Sequence, residues 1–313
     1  MSDISLARRG IERKKRKSTL FRSRYLLVLA IPALIWYIIF CDYPMYGIQI
    51  AFKKYNMSAG IWGSQWVGLK YFTKLMKYED FWNAVRNTLV ISISKIAVGF
   101  PCPIILALLL NELRSNKLRR PLQTVYTFPH FISWVITYSL FSILLSGEGI
   151  INLMRTQGGL KSIGFLSDSK IFFGVLLFTD VWKSVGWSSI IYCAAITNIN
   201  PEVIEASIVD GANRFQRIWY VILPDISVTI VTLFILAVGG VMNAGFDQIF
   251  NFYNPLVYST SDIIDTYVYR LSFEGTNGFS ISTAVGLFKS VINCILLFGA
   301  DRVAKAFGQP GIY

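Results

Sequence analysis

Long apolar runs alternate with short polar pieces along the chain. A membrane-crossing helix needs about 20 mostly apolar residues. Six stretches qualify, at roughly 25–48, 87–112, 121–146, 171–196, 226–247 and 282–303. The third carries no acidic or basic residue between Pro121 and Gly147 apart from His130, and the fifth is uncharged from Ile226 to Phe246. The first is the least clean, because Asp42 and Pro44 fall near its outer end. The pattern predicts an all-α, polytopic membrane protein. It has a basic tail over 1–24, a six-helix membrane domain over 25–303 and a short tail over 304–313. Pro101, Pro103 and Pro129 are expected to break or bend the second and third helices.

Composition agrees. The 313 residues are 54% hydrophobic and 15% charged, against about 25% charged in soluble domains. The net charge of +12 would suggest nucleic acid on a soluble protein, but no basic patch interleaved with aromatics is present. Here the charge reads as the positive-inside bias of membrane proteins. Lys and Arg are densest in 1–24 and 113–120 and sparse in 248–281, which places both termini, and the 197–225 loop, in the cytoplasm. The basic head leads into an apolar run with no small-residue cleavage site, so a retained tail is expected rather than a signal peptide.

Cys41, Cys102, Cys193 and Cys294 lie in or beside apolar segments and form no CxxC pair; they read as packing residues. One histidine, His130, cannot build a multi-histidine metal site. It is expected to satisfy a carbonyl freed by Pro129. No repeat of 20–50 residues and no second soluble domain is visible.

The piece between the fourth and fifth runs, 200–224, is polar yet helical in pattern. Asn200 suits an N-cap, Pro201 the first helical position and Glu202 the first turn. Val203, Ile204, Ser207, Ile208 and Gly211 recur at helical spacing. Gly211-Ala212-Asn213 can turn the chain. A second short helix, carrying Phe215, Ile218, Trp219 and Ile222, is expected to end before Pro224. Such a hook either folds back on its own protein, lies in the interface, or meets a soluble partner.

Glu205, Ala206, Ser207, Gly211, then nine residues, then Val221, Ile222, Leu223 and Pro224 resemble the EAA loop of ABC importer permeases, E-A-A-x3-G-x9-I-x-L-P. Ser207 and Val221 depart from the pattern but keep size or shape. Asp210-Gly211-Ala212 and Gln216 resemble the sugar-permease version. PMYGIQIAFKKYN (44–56), FPHFISWV (128–135) and NAGFDQIFNFYNPLVYSTSDIIDTYVYR (243–270) look like the LplB-type branch of the carbohydrate permeases, the inner-membrane components similar to MalF and MalG. That resemblance runs from about residue 25 to the end. It implies a type I importer permease that moves oligosaccharides from polysaccharide breakdown. It also implies a sister permease, a dimeric cytoplasmic ATPase that holds ATP and Mg, and an extracellular solute-binding lipoprotein, in a bacterial cell membrane. This chain would bind no cofactor and no metal. Glu205, Ala206, Ser207, Asp210, Gly211, Ala212, Leu223 and Pro224 would form the coupling helix and its exit, docked on the ATPase.

Charges in apolar spans should face protein or water. Asp180 and Lys183, at i and i+3, are expected to neutralise each other. Lys95, Lys183 and Lys289 together give a weak reason to expect an acidic sugar. Sugars bind to aromatic faces and hydroxyl-bonding side chains; the candidates are Trp182, Trp187, Tyr192, Asn243, Phe246, Asp247, Gln248 and Asn293, although aromatics in membrane helices more often pack or anchor. GGVMNAGF in the fifth run suits close packing and a kink beside a cavity.

Two other classes compete. An ion-coupled sugar carrier calls for inverted repeats, which are absent. A membrane enzyme acting on lipid-linked sugars calls for a catalytic constellation; Asp262 and Asp265 are close in sequence but suit a turn or a contact with the binding protein. No GxxxxGK[ST] loop occurs, so ATP is not held that way by this chain.

Overall fold

The computed structural model describes residues 24–113, 115–274, 278–306 and 308. Most of the tails expected over 1–24 and 304–313 lie outside the described residues. Four helices are long and apolar enough to cross a membrane: Val28–Phe52, Glu79–Asn111, Trp134–Gln157 and Gly278–Ala306. A fifth crossing would combine Arg214–Asp225 with Ser227–Gly239, which meet at a bend of 64°. Ser169–Thr197 has 29 residues, about 43 Å at 1.5 Å per residue. It carries Asp180 and Lys183, which dilute its apolar character.

The first helix begins as α1 (Arg24–Tyr37) and continues through a π turn, Ile38–Asp42, and a 3-10 stretch, Tyr46–Phe52. Pro44 stands just after the π turn. Widening the ladder before a proline removes the clash between its ring and the carbonyl four residues back. The other described residues bury none of the most apolar stretch of this helix.

An all-α chain is not what forms next. β1 (Lys53–Asn56) and β2 (Ser64–Trp66) pair antiparallel, with Lys53 opposite Trp66 and Lys54 opposite Gln65. Side-chain bonds hold this hairpin. Ser280 donates to the Lys53 carbonyl at 2.7 Å and accepts from the Tyr55 N–H at 3.1 Å. Lys53 Nζ donates to the Ile61 carbonyl at 2.9 Å. GIWGSQW is therefore a helical turn and a strand.

The second helix starts earlier than its apolar run suggests. α2 (Glu79–Gly99) opens with Glu79 and Asp80 in its first turn, where acids favour the positive end of the dipole. α3 (Pro101–Asn111) follows. Pro101 interrupts the ladder only at Phe100, whose backbone stays helical, so this break is slight.

The 121–146 stretch is not one helix. α4 (Asn116–Thr127) gives way to a 3-10 turn, Phe128–Phe131, and α5 (Trp134–Leu145) starts afresh with Ser133 accepting from the Ile136 N–H. Pro129 supplies no N–H and terminates α4. α6 (Ser169–Thr197) is capped by Asp168 and packs against α2, α3 and α4.

The fifth apolar run also stops short. α9 (Ser227–Gly239) ends at Gly240, and α10 (Phe246–Phe252) begins after Gly245, whose φ is +92°. α7 (Pro201–Val209) and α8 (Arg214–Arg217), the helices of the hook, precede α9. α11 (Ile264–Glu274) and α12 (Gly278–Ala306) close the described chain. Three apolar clusters tie the body together. One joins Phe81, Met242, Ile264 and Val285; the second joins Ile91, Phe172, Ile249 and Phe252; the third joins Leu110, Tyr192, Ile196, Ile222 and Ile226. The first two close around the 240–245 break, and the third anchors the hook.

Candidate functional site

The hook is built by its caps. Asn200 accepts from the Glu202 N–H at 3.1 Å and starts α7 (Pro201–Val209). At its other end the Ala212 N–H donates to the Ser207 carbonyl and the Gly211 N–H to the Ile208 carbonyl, both at 3.0 Å. This is a Schellman stop, which needs a left-handed residue; Gly211 provides it at φ +81°. Asn213 and Gln216 then exchange reciprocal bonds of 2.8 and 3.0 Å, a capping box that starts α8 (Arg214–Arg217). The likeness of Gln216 to the sugar-permease pattern thus has a physical cause.

The second helix does not end before Pro224. It continues through a π turn, Ile218–Ile222, to Asp225. As at Pro44, the π turn makes room for the proline ring.

The apolar residues of the hook divide between two faces. Ile204, Ile218, Ile222 and Leu223 pack in the third cluster. Val209, Phe215, Trp219 and Tyr220 are 86%, 84%, 68% and 74% exposed, a concentration of bare apolar surface on one short hook. Glu205, Ala206, Asp210 and Pro224 are exposed; Ser207 donates to the Ile204 carbonyl at 2.6 Å. A Cβ on Gly211 would meet nothing within 4 Å. Arg214 leans 3.7 Å from Glu112 at the end of α3. Around that contact lies a cavity of 240 Å³ lined in part by Ile204, Ile208 and Ile222.

A second polar arrangement lies at the 240–245 break. Lys95 pairs with Asp180 at 3.0 Å, donates to the Ala244 carbonyl at 2.9 Å, and bonds Gln248 Oε1. Gln248 in turn donates to the Leu176 carbonyl at 2.7 Å and to Thr179 at 2.8 Å. Asn293 accepts the Met242 N–H at 3.2 Å. Lys95 and Asn293 thus take up the Ala244 carbonyl and the Met242 N–H at the interrupted helix.

The expected Asp180–Lys183 pair does not form. Lys183 donates to the carbonyls of Pro129 (3.3 Å), His130 (2.8 Å) and Ile132, and lies 5.4 Å from the Trp134 ring. The α4–α5 break exposes three carbonyls in one place, and an ammonium with three protons matches them. His130 is thereby relieved of the carbonyl-capping task expected of it and stacks on Trp187 at 4.6 Å. Lys289 pairs with Asp265 at 2.6 Å, and Arg270 forks onto Asp262 at 2.8 and 2.5 Å. Every lysine in a span therefore has a partner, and the argument from free lysines to an acidic sugar falls away. Asp262 and Asp265 serve as ion-pair partners.

Of the sugar-path candidates, the fold brings Asn243, Gln248 and Asn293 to the break. Asp247 is exposed in the first turn of α10, and Phe246 stacks on Phe250 at 5.0 Å. Trp182 packs edge-on to Phe141 at 5.5 Å, and Tyr192 is buried in the third cluster beside Phe100. Sequence reasoning did not single out Ser92 and Ser184, which also line this region. A serine in an apolar span was their one signal.

Residues 99–309 match the model of the family described as binding-protein-dependent transport system inner membrane component. The chain belongs to this family. It is a permease component of a transporter, a mostly helical multi-pass membrane protein. The permease is 42% identical over 297 residues to Protein LplB of Bacillus subtilis (strain 168), covering 95% of this chain and 93% of that protein. It is 41% identical over 303 residues to the polygalacturonan/rhamnogalacturonan transport system permease protein YteP of the same organism, covering 96% and 94%. In three dimensions it resembles a chain of a bacterial alginate ABC transporter solved in complex with an alginate pentasaccharide-bound periplasmic protein. The TM-score is 0.85 at 36% identity, over 94% of this chain and 99% of that one.

Proposed function

We propose that this permease moves oligosaccharides from polysaccharide breakdown into the cytoplasm by alternating access, as one membrane subunit of an ATP-driven importer. The observation that carries this is the hook. Its inner apolar face is locked into the body by Ile222 and its neighbours, while Phe215, Trp219 and Tyr220 stand bare on the outside. A rigid piece so anchored moves the helices when a partner moves it. The partner is a dimeric cytoplasmic ATPase, which holds ATP and Mg. Glu205, Ala206, Ser207, Asp210, Gly211 and Ala212 form the docking helix and its turn, and Leu223 and Pro224 the exit into the membrane.

The reading includes six crossings, with Ser169–Thr197 and the bent pair among them and both termini in the cytoplasm. A sister permease covers exposed helix surface such as that of the first helix, and an extracellular solute-binding lipoprotein delivers the sugar. An acidic oligosaccharide is favoured by the relatives, since YteP is named for polygalacturonan and rhamnogalacturonan and the structural neighbour for alginate.

The test is the ATPase rate of the reconstituted assembly, comprising this chain, the sister permease, the ATPase and the binding protein, with and without oligosaccharides of known composition. Stimulation by one class of sugar supports the reading and names the class. Failure of individually folded subunits to form an ATPase-containing assembly would overturn it.

A further inference from the structure

The stretch 53–78, between the first two crossings, carries Lys53, Lys54, Lys70, Lys74 and Lys77 and no acidic residue. In the proposed topology it lies on the outer side, where Lys and Arg are ordinarily scarce. Its charge therefore runs against the bias that orients the chain. A local excess of one sign draws ligands of the other.

The fold gives this charge a place. A cavity of 580 Å³ lies between the hairpin and the start of α12, within the about 300–1,000 Å³ of small-ligand pockets. Lys54, Tyr55, Asn56, Gln65, Phe279 and Ser280 are among its lining. Its walls are fixed to each other. Ser280 bonds both the Lys53 carbonyl and the Tyr55 N–H. Ser64 accepts from the Asn56 N–H at 3.0 Å and donates to the Gly60 carbonyl at 2.6 Å.

Successive strand residues point to opposite faces, so the two adjacent lysines part. Lys53 is buried, donates to the Ile61 carbonyl and lies 5.8 and 6.0 Å from the Trp62 and Trp66 rings. Lys54 is exposed and makes no ion pair or side-chain hydrogen bond among the described residues. Its three ammonium protons are free for a ligand. Asn56 Oδ1 accepts from the Ser58 N–H at 2.9 Å, which leaves the amide protons of Asn56 to donate. The Gln65 side chain is unbonded among the described residues. Tyr55 and Phe279 meet edge-on at 6.1 Å and form one apolar corner, with Phe279 39% exposed.

We infer that this outer groove is a binding site for a uronate ring of an acidic oligosaccharide, separate from the break within the membrane. Lys54 takes the carboxylate, Asn56 and Gln65 bond ring hydroxyls, and the apolar face of the sugar rests on Phe279. The inference rests on the importer reading above.

The test uses Lys54 itself as the probe. The permease pair and its ATPase are held in lipid nanodiscs and treated with a water-soluble acylating ester. Site-resolved mass spectrometry compares Lys54 with the exposed Lys161. A galacturonic acid trimer should slow acylation of Lys54 by about fivefold at about four times its Kd, the factor 1 + [L]/Kd, and leave Lys161 unchanged. A galactose trimer should protect far less. Gln65→Ala and Phe279→Ala should each weaken the protection, and so should salt at about 1 M, where the screening length is about 3 Å. Equal protection by the galactose trimer would overturn the inference, as would protection by neither sugar. Protection that appears only on adding the binding protein, with or without sugar, would also overturn it and mark the groove as a protein contact. The sugar-stimulated ATPase rate of the full assembly with the binding protein judges the importer reading separately. A silent ATPase with a protected Lys54 would sink that reading and leave this site standing.

Discussion

Lys95 of α2 and Asp180 of α6 meet at 3.0 Å, with side chains 12% and 24% exposed. The pair joins two long helices at the level where a third breaks. Removing one partner of a buried pair costs more than removing both, because the survivor keeps its desolvation penalty without its attraction. Lys95→Met should therefore destabilise the assembly by about 1–3 kcal/mol, less than for a fully buried pair because of the residual exposure. The double variant Lys95→Met/Asp180→Leu should recover part of that loss. Thermal unfolding of the four proteins of the double-mutant cycle, in one detergent, decides the matter; equal losses for single and double variants would contradict it.

Gly245 lies against the same lysine. A Cβ there would come to 2.9 Å from Lys95 Nζ, on a backbone with φ of +92°. Gly245→Ala should cost about 1–2 kcal/mol from the left-handed backbone alone, and more from displacing the ammonium. Its unfolding temperature should fall below that of Gly240→Ala, where φ is −94° and the nearest atom is 3.6 Å away.

Gly211 separates shape from docking. Nothing within 4 Å would obstruct a side chain, so Gly211→Asn, which tolerates the left-handed region, should retain most transport. Gly211→Trp should leave membrane insertion intact yet abolish transport and sugar-stimulated ATPase activity, because its bulk lies at the exposed turn. Normal uptake by the Trp variant would refute the coupling role.

Lys183 holds the α4–α5 break together. Lys183→Met should leave the His130 and Ile132 carbonyls short of their donor, at about 1–3 kcal/mol for each group that finds no water, while the Pro129 carbonyl keeps the Ile132 N–H at 3.2 Å. Lys183→Arg should restore part of the loss, since a guanidinium also brings several donors. Limited proteolysis at 128–133 and unfolding temperature would register both effects. An unchanged Lys183→Met protein would show that water already serves these carbonyls.

The chain's own order carried a good deal. The apolar runs, the N-cap at Asn200, the turn at Gly211 and the second hook helix from Arg214 are local features. They depend on propensity, capping and glycine's access to positive φ, all of which act over a few residues. The family resemblance rested on the same local spacing.

What the sequence could not decide was which partner each charge would find. Asp180 had Lys183 one turn away and Lys95 on another helix. The nearer pair lost because three carbonyls released at Pro129 outbid a single carboxylate for the Lys183 ammonium. The same holds for the helix ends. Pro224 read as a stop, yet a π turn carries the helix through it, as another does before Pro44. The uncharged fifth run read as one span, yet it ends at Gly240, where Lys95 and Asn293 take up backbone groups of the break. Local pattern set where apolar helices form, since burial and hydrogen bonding are satisfied within each segment. Only the packed structure decided where they stop and which polar groups meet, because an unpaired carbonyl or charge is satisfied by whatever the fold brings within about 3 Å of it.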